Sequence, residues 1–243
     1  MKKNNKKIII TIFVFFTILL LSISIIIANN SIYKDNFNID KEKIYYEIKY
    51  FDSQIIYICN SLNNIDNTNN FYINWNDLEK QANTLYNYWN SVILDLNYLD
   101  IDKKYLINFS KKIDEFNISI KDNNKKSALI CLIELYNNLI IYSEAIEYKN
   151  YTQILRTKYN LLCAYSIAES GNWTLAHEYI LKASKNISKV VNSMDINKHQ
   201  QYNVNQTYVA VKELENIVNI KTLNIFYLKY NLAITKLENL TLE

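Results

Sequence analysis

The feature that most constrains the fold of this chain is its near lack of turn-forming residues: 243 residues contain one Gly and no Pro. Average usage is about 7% Gly and 5% Pro, and turn-rich all-β or doubly wound α/β proteins depend on both residues. Gly171 alone cannot build a phosphate loop, a nucleophile elbow or a dinucleotide-binding turn, because each needs two or more glycines at fixed offsets. The sequence therefore predicts an all-α fold.

The charge distribution argues against nucleic-acid binding. The formal net charge is +3, but four of the 27 basic residues lie in residues 2–7, so the rest of the chain nearly balances its 24 acidic residues. Nucleic-acid binding needs a dense cationic surface that displaces phosphate counterions. Arg156 is the only arginine and offers little bidentate base recognition. We expect no nucleic-acid partner.

The amino-terminal segment has the length and composition of a membrane span. Residues 8–27 carry no charge, and all but four hydroxyl residues are Ile, Leu, Phe or Val. A helix of this length spans about 30 Å, the thickness of a bilayer's hydrocarbon core. The lysines before it stay in the cytoplasm by the positive-inside rule. The expected order is a basic cytoplasmic tail at 1–7, a transmembrane signal anchor at 8–28 and a linker at 29–41, with the remainder outside the cytoplasm.

A cleaved signal peptide is the alternative interpretation of the same segment. Such a peptide has an apolar region of about 7–15 residues that ends in a small-x-small site. Ala28 is small, but Ile26 two positions earlier is a poor partner, and the apolar run is longer than usual. The length favours an uncleaved anchor, whereas cleavage near Ala28 makes the protein secreted.

Beyond the linker, apolar residues recur at alternating steps of three and four, which predicts amphipathic helices that pack together. Asn74, Asp102 and Asn172 are the predicted helix caps, and Gly171 stands where a helix end requires a left-handed residue. The predicted core residues fall in these eight stripes: 44–62, 75–96, 106–120, 128–146, 155–166, 173–194, 204–218 and 226–240.

The helical pattern is repeated in the second half of the chain. The stripe that begins at Trp173 lies 98 positions after the stripe that begins at Trp75, and an Asn precedes each Trp. The sequence predicts two duplicated units of about 100 residues, at 42–149 and 150–243. Long helices with short connections favour antiparallel neighbours, so each unit is expected to be an antiparallel bundle or a set of stacked hairpins.

One segment resembles a family of short, membrane-anchored, all-helical bacterial proteins of unknown function. The resemblance rests on the charged-Trp start at Trp75, Ala82 two turns later and a second Trp at Trp89, and it covers residues 72–146. The second half matches more loosely, because Ile187 stands where the second Trp would be. The resemblance implies an anchored helical domain and no activity.

The segment 164–183 is similar to one tetratricopeptide repeat. Small and turn residues such as Ala164, Gly171 and Ala176 occupy the matching positions. The resemblance implies a tight helical hairpin of the kind that lines a concave, peptide-binding groove. One repeat length earlier the pattern is broken, so the sequence holds a single hairpin of this type.

The histidines and cysteines do not form a metal-binding or catalytic pattern. His177 lies on a predicted helix, and His199 lies in a predicted loop over residues 197–201. Neither has a second His at the spacing that a zinc protease requires. Cys59, Cys131 and Cys163 lack Cys-x-x-Cys spacing and are expected to act as small core residues. Cys59 and Cys163 occupy equivalent places in the two units and are the first pair to test for a disulfide.

Two further groups of side chains leave alternatives open. Glu134 and Glu144 lie on a predicted helix and could enter a bundle interior, although no Glu-x-x-His pair accompanies them. Tyr45, Tyr46, Tyr50 and Tyr57 form a ribbon that fits either a half-buried core edge or a partner-facing surface. Neither group supplies a reaction centre.

The sequence as a whole predicts a membrane-anchored, extracytoplasmic helical protein that acts as a structural or protein-interaction module without catalytic activity. No catalytic residue, cofactor, metal site or small-molecule substrate is inferred. The expected partners are the membrane, through residues 8–28, and an unidentified protein. The alternative is a tetratricopeptide-like adaptor that holds a peptide or protein through the Gly171 hairpin.

Overall fold

The computed structural model describes residues 40–63, 73–193 and 197–240 and confirms the all-α prediction. The anchor at 8–28, most of the linker and the Asn-rich segment after Asn63 lie outside the described residues. Within the described part there is no strand, and eight α-helices follow one another. They are α1 (Lys41–Leu62), α2 (Trp75–Leu96), α3 (Lys104–Lys121), α4 (Lys125–Ala145), α5 (Lys149–Glu169), α6 (Trp173–Val191), α7 (Lys198–Ile217), continued by a 3-10 turn (Val218–Ile220), and α8 (Leu223–Glu238).

The predicted stripes form the core, because nearly every stripe residue that the structure describes is buried. Trp89 is the largest of them: its ring packs 4.3 Å from that of Phe109, and its indole nitrogen donates to Ser110 Oγ at 2.9 Å. The tryptophans that open α2 and α6 are only half-buried. Trp75 is therefore not the core anchor that its place on the stripe predicts, since a residue in the first helical turn lies at the end of the bundle.

The predicted asparagine caps are confirmed, whereas Asp102 stands one residue before the N-cap of α3, which is Lys103. The Asn74 and Asn172 side chains accept from the backbone N–H groups of Asp77 and Leu175, and the Asp102 carboxylate accepts from the N–H of Lys104. Gly171 has φ +84°, a left-handed conformation that favours glycine. The sequence therefore encodes the helix ends as well as the helix faces.

The loop predicted at 197–201 is wrong. Asn197 and Gln200 form a reciprocal capping box, in which each side chain accepts from the other residue's backbone N–H. This pairing starts α7 at Lys198 and places His199 in the helix.

The residues from Lys41 onward form one compact unit. Each helix contacts the next along the chain, and the most extensive contact is between α5 and α6. In addition, α1 contacts α4 and α5 contacts α8. Among the described helices, α4 alone is long and apolar enough to cross a membrane, but most of that stretch is buried against α1, α3 and α5.

Candidate functional site

Among the described residues, one ion pair is buried in the core, and we call it the ionic junction. Asp52 of α1 and Lys158 of α5 have side chains that are 5% and 3% exposed. Lys158 Nζ donates to Asp52 Oδ1 at 2.9 Å and to Oδ2 at 2.8 Å. A buried charge is tolerated only when it is paired and hydrogen-bonded, and this pair meets both conditions.

Two tyrosines complete the junction. The hydroxyls of Tyr136 on α4 and Tyr151 on α5 donate to opposite oxygens of Asp52, the second at 3.2 Å. Burial first, and then the Asp52 charge, raises the pKa of both tyrosines well above the ordinary value. Asp52 thus accepts on both of its oxygens, from Lys158 and the two tyrosines.

The last helix approaches the junction as well. Burial raises the pKa of Glu238 on α8, and the charges of Lys158 and Asp52 act on that carboxyl in opposite directions. The junction therefore lies where α1 and α4 meet α5 and α8.

Sequence reasoning did not identify the junction, although it left a signal. Asp52 stands four residues after Ile48 and three before Ile55. Lys158 stands four residues after Ile154 and three before Leu161. Each charge therefore has the helical spacing of its buried apolar neighbours. Opposite charges that lie beside the apolar stripes of two helices are candidates for a buried pair.

The surface carries a cleft of about 410 Å³ between α4, α5 and α6, which we call the basic cleft. Most of its lining residues lie on the α5–α6 hairpin, which turns at Gly171, and none of them is acidic. The lining consists of Asn137, Ile140, Arg156, Tyr159, Asn160, Tyr179, Lys182, Lys185, Asn186 and Lys189.

The cations of the basic cleft differ in their partners. Arg156 pairs with Glu144, which does not line the cleft. Lys182 Nζ lies 4.5 Å from the centre of the Tyr179 ring, in a cation–π contact. No described carboxylate forms an ion pair with Lys182, Lys185 or Lys189. These three charges are therefore free to meet an anion.

A cysteine lies beside the basic cleft. The Tyr159 hydroxyl and the Lys182 charge both lower the pKa of the Cys163 thiol. Burial nevertheless raises the pKa of Cys163 to about 11, since it outweighs these two lowering effects. At neutral pH the group is a thiol, which disfavours a nucleophilic role.

A second cleft, of about 340 Å³, lies between α7 and α8 and is mainly apolar. Tyr202, Val209 and Leu232 line it, with Glu213 and Lys236 among the polar residues at the same site. Lys229 pairs with Glu213 at 2.7 Å, and Lys236 donates to Gln206 at 3.0 Å. The charged groups of this cleft thus already have polar partners, whereas Lys182, Lys185 and Lys189 have no ion-pair partner among the described residues.

The structure disperses the sequence-predicted site residues. Glu134 pairs with Lys112 at 2.7 Å and Glu144 pairs with Arg156, so neither carboxylate enters the interior. The three cysteines are free and buried, and the pair Cys59–Cys163 is not a disulfide. Cys59 lies near Tyr230 whereas Cys163 lies beside Tyr159, which places the two thiols in different surroundings.

The four predicted ribbon tyrosines of α1 do not share one environment: two fit a half-buried core edge and two lie on the surface. Tyr45 and Tyr50 are half-buried, and Tyr45 stacks on Tyr148 with ring centres 4.5 Å apart. Tyr46 and Tyr57 are exposed. His177 is half-buried on α6, near Glu215 of α7.

Across residues 40–63, 73–193 and 197–240, no group of three or more His, Cys, Asp or Glu side chains could hold a metal ion. No protein-family model, curated protein or solved structure matches the chain.

Proposed function

We propose that this chain is a single-pass, membrane-anchored helical protein whose body lies outside the cytoplasm and acts as a structural or protein-interaction module without catalytic activity. The uncharged run at residues 8–27, with four lysines before it, supports the anchor and its orientation. Cleavage near Ala28 would give a secreted form of the same body.

The observation that carries the interaction role is the basic cleft. Inside the body, the ionic junction has every charge partnered, whereas the cleft presents three lysines that lack ion-pair partners among the described residues. Unpartnered charge around a concave surface is typical of a ligand-binding site, since a charge with no internal partner is available to an external one.

We also propose that the body is a duplication of one four-helix unit, arranged as antiparallel bundles. In the first unit, consecutive contacts from α1 to α4 are closed by contact between α1 and α4. In the second, contacts from α5 to α8 are closed by contact between α5 and α8. The same closed ring of four helices thus occurs twice, and the contact between α4 and α5 joins the two rings.

A tetratricopeptide-like adaptor is the alternative, and the α5–α6 hairpin favours it. The mutual contact of these helices is the most extensive in the described chain, and both helices carry small buried residues: Ala164, Ala168, Ala176 and Ala183. Small side chains allow two helices to approach closely, and Gly171 provides the turn between them. In this alternative the same hairpin carries the basic cleft as its binding surface.

The location of the body can be tested by labelling cysteines with a membrane-impermeant maleimide in intact cells. The three native cysteines are buried, so they give a low background. One variant, Lys126→Cys, places a thiol at an exposed site of the body, and its matched control, Lys3→Cys, places one in the amino-terminal tail.

The proposed topology predicts that intact cells label the Lys126→Cys variant, whereas the Lys3→Cys variant labels only after the membrane is permeabilised. Alkaline carbonate should leave the chain in the membrane fraction. Labelling of both variants only after permeabilisation, or recovery of the chain with cytosolic proteins, would contradict the proposal.

A further inference from the structure

We propose that the basic cleft binds an acidic protein segment, namely an extended stretch of chain that carries several Asp or Glu side chains. This inference rests on the proposed role as an interaction module and specifies the chemistry of its partner.

The first argument is the arrangement of positive charge. Lys182, Lys185 and Lys189 follow one another at i, i+3 and i+7 on α6, which places them on one face of the helix over about 10 Å. All three are exposed. Like charges at these spacings repel one another and destabilise a helix. The Lys182–Lys185 and Lys185–Lys189 spacings are therefore repulsive, and a bound anion would relieve that repulsion.

The second argument is that the spacing of the three lysines matches the spacing of carboxylates on an extended chain. Alternate residues of an extended chain lie about 6.6 Å apart on the same side. Successive lysines of the row are separated by about 4.5 Å and 6 Å along the helix axis. Flexible lysine side chains can bridge that difference, so carboxylates on alternate residues of an extended segment match the row.

The third argument is that the cleft also offers hydrogen-bond acceptors. Asn160 is only 8% exposed, and its Nδ2 donates to the carbonyl of Arg156 at 2.7 Å. No described residue donates to its Oδ1. A peptide backbone supplies N–H donors for such an oxygen as well as acceptors for lysine, whereas a phosphate polymer supplies acceptors alone. Asn160 therefore favours a peptide.

The size and the remaining lining of the cleft agree with a short segment. Its volume of about 410 Å³ lies in the range of typical ligand pockets. Ile140 and the rings of Tyr159 and Tyr179 provide apolar contacts for the stems of the bound side chains. The cleft thus combines charge, backbone recognition and apolar contact in one place.

The test measures peptide binding to the full chain in zwitterionic lipid nanodiscs. The probe is a fluorescent peptide of alternating Glu and Ser, and the control peptide has Gln in place of Glu. The cleft variant combines Lys182→Gln, Lys185→Gln and Lys189→Gln. The matched control combines Lys80→Gln, Lys121→Gln and Lys126→Gln, which removes the same charge from exposed sites elsewhere.

The expected result is that the cleft variant binds the Glu peptide at least about tenfold more weakly than the native chain, with the control variant within about twofold. Binding should also weaken as salt is raised, because the charges are exposed. Both triple variants should keep the native circular dichroism spectrum, since every substituted residue lies on the surface.

Three results would overturn the proposal: equal weakening in the two triple variants, equal binding of the Gln peptide, or tighter binding of inorganic polyphosphate than of the Glu peptide at matched charge. The binding measurement does not depend on membrane orientation. A body found in the cytoplasm would therefore contradict the proposed topology and leave this inference standing.

Discussion

The buried lysine of α5 and the surface lysines of the basic cleft differ in whether they have a carboxylate partner. Toward the core, Lys158 is buried and donates to both oxygens of Asp52. Toward the surface, Asn160 and Tyr159 belong to the basic cleft, where the lysines of the neighbouring helix α6 have no carboxylate partner among the described residues. On α5, Lys158 belongs to the ionic junction, whereas the next two residues line the basic cleft.

The difference indicates that burial determines whether a lysine of this protein needs an internal carboxylate partner. A buried cation must have a partner, and so it fixes the geometry of the helices that supply that partner. The junction joins α1 and α4 to α5, which are the helices at the boundary of the two proposed units. We therefore expect the junction to set how the units pack, and the basic cleft to contribute little to stability.

The largest effect is expected for Lys158→Met. This variant leaves Asp52 buried without its cation, which should lower the free energy of unfolding by about 3–5 kcal/mol. The double variant Asp52→Leu with Lys158→Met removes both charges and should recover more than half of that loss. Lys185→Met, the matched substitution in the cleft, should change stability by less than about 0.5 kcal/mol.

Urea denaturation of the three variants measures these differences. A double variant as unstable as Lys158→Met alone would show that the junction contributes packing rather than paired charge. A large loss in Lys185→Met would contradict the distinction between the two regions.

A smaller effect is expected for Tyr136→Phe, with Tyr230→Phe as its control. Both tyrosines are fully buried. The Tyr136 hydroxyl donates to Asp52, and a hydrogen bond to a charged group contributes about 1.5–3 kcal/mol. The Tyr230 hydroxyl has no hydrogen-bond partner within the described part of the chain. Its removal should be neutral or stabilising by up to about 1 kcal/mol.

The melting temperatures of the two variants provide the comparison. Tyr136→Phe should melt below the native chain and Tyr230→Phe at or above it. The reverse order would contradict the hydrogen-bond assignment at the junction.

The junction should also make stability fall at alkaline pH. The pKa values of Tyr136 and Tyr151 are raised by burial and by Asp52, so these tyrosines stay neutral in the folded protein. Unfolded tyrosines ionise near pH 10, so above that pH the unfolded state binds fewer protons than the folded state. Each tyrosine then lowers the free energy of unfolding by up to about 1.4 kcal/mol per pH unit.

Urea midpoints between about pH 8 and pH 11 test this linkage, since they bracket the ordinary tyrosine pKa. The double variant Tyr136→Phe with Tyr151→Phe should show a shallower fall than the native chain above pH 10. Parallel curves for the two proteins would exclude the junction as a source of the alkaline dependence.

The sequence predicts the parts of this molecule that local physics determines. The scarcity of Gly and Pro predicts the helical class, the apolar steps predict the core face of each helix, and Asn74 and Asn172 predict two of the caps. Each of these features depends on residues close together in the chain.

The sites could not be predicted in the same way, because they depend on residues from different helices. Asp52 and Lys158 are 106 positions apart, and only the packing of α1 against α5 makes them a pair. The capping box of Asn197 and Gln200 is local, so the sequence does contain its signal. The Asn-x-x-Gln spacing predicts a helix start at this point, rather than the loop expected over 197–201.

The smallest effect distinguishes a lysine retained for binding from one retained for stability. Lys185 stands three residues after Lys182 and four before Lys189, so it takes part in both like-charge contacts of the row. Lys185→Gln should therefore stabilise the protein by about 0.2–0.5 kcal/mol at low ionic strength, and added salt should abolish the gain. Lys80→Gln, at an exposed site with no other lysine three or four residues away, should show no such gain. If Lys185→Gln is destabilising, the row holds α6 in place, and its open charge is structural after all.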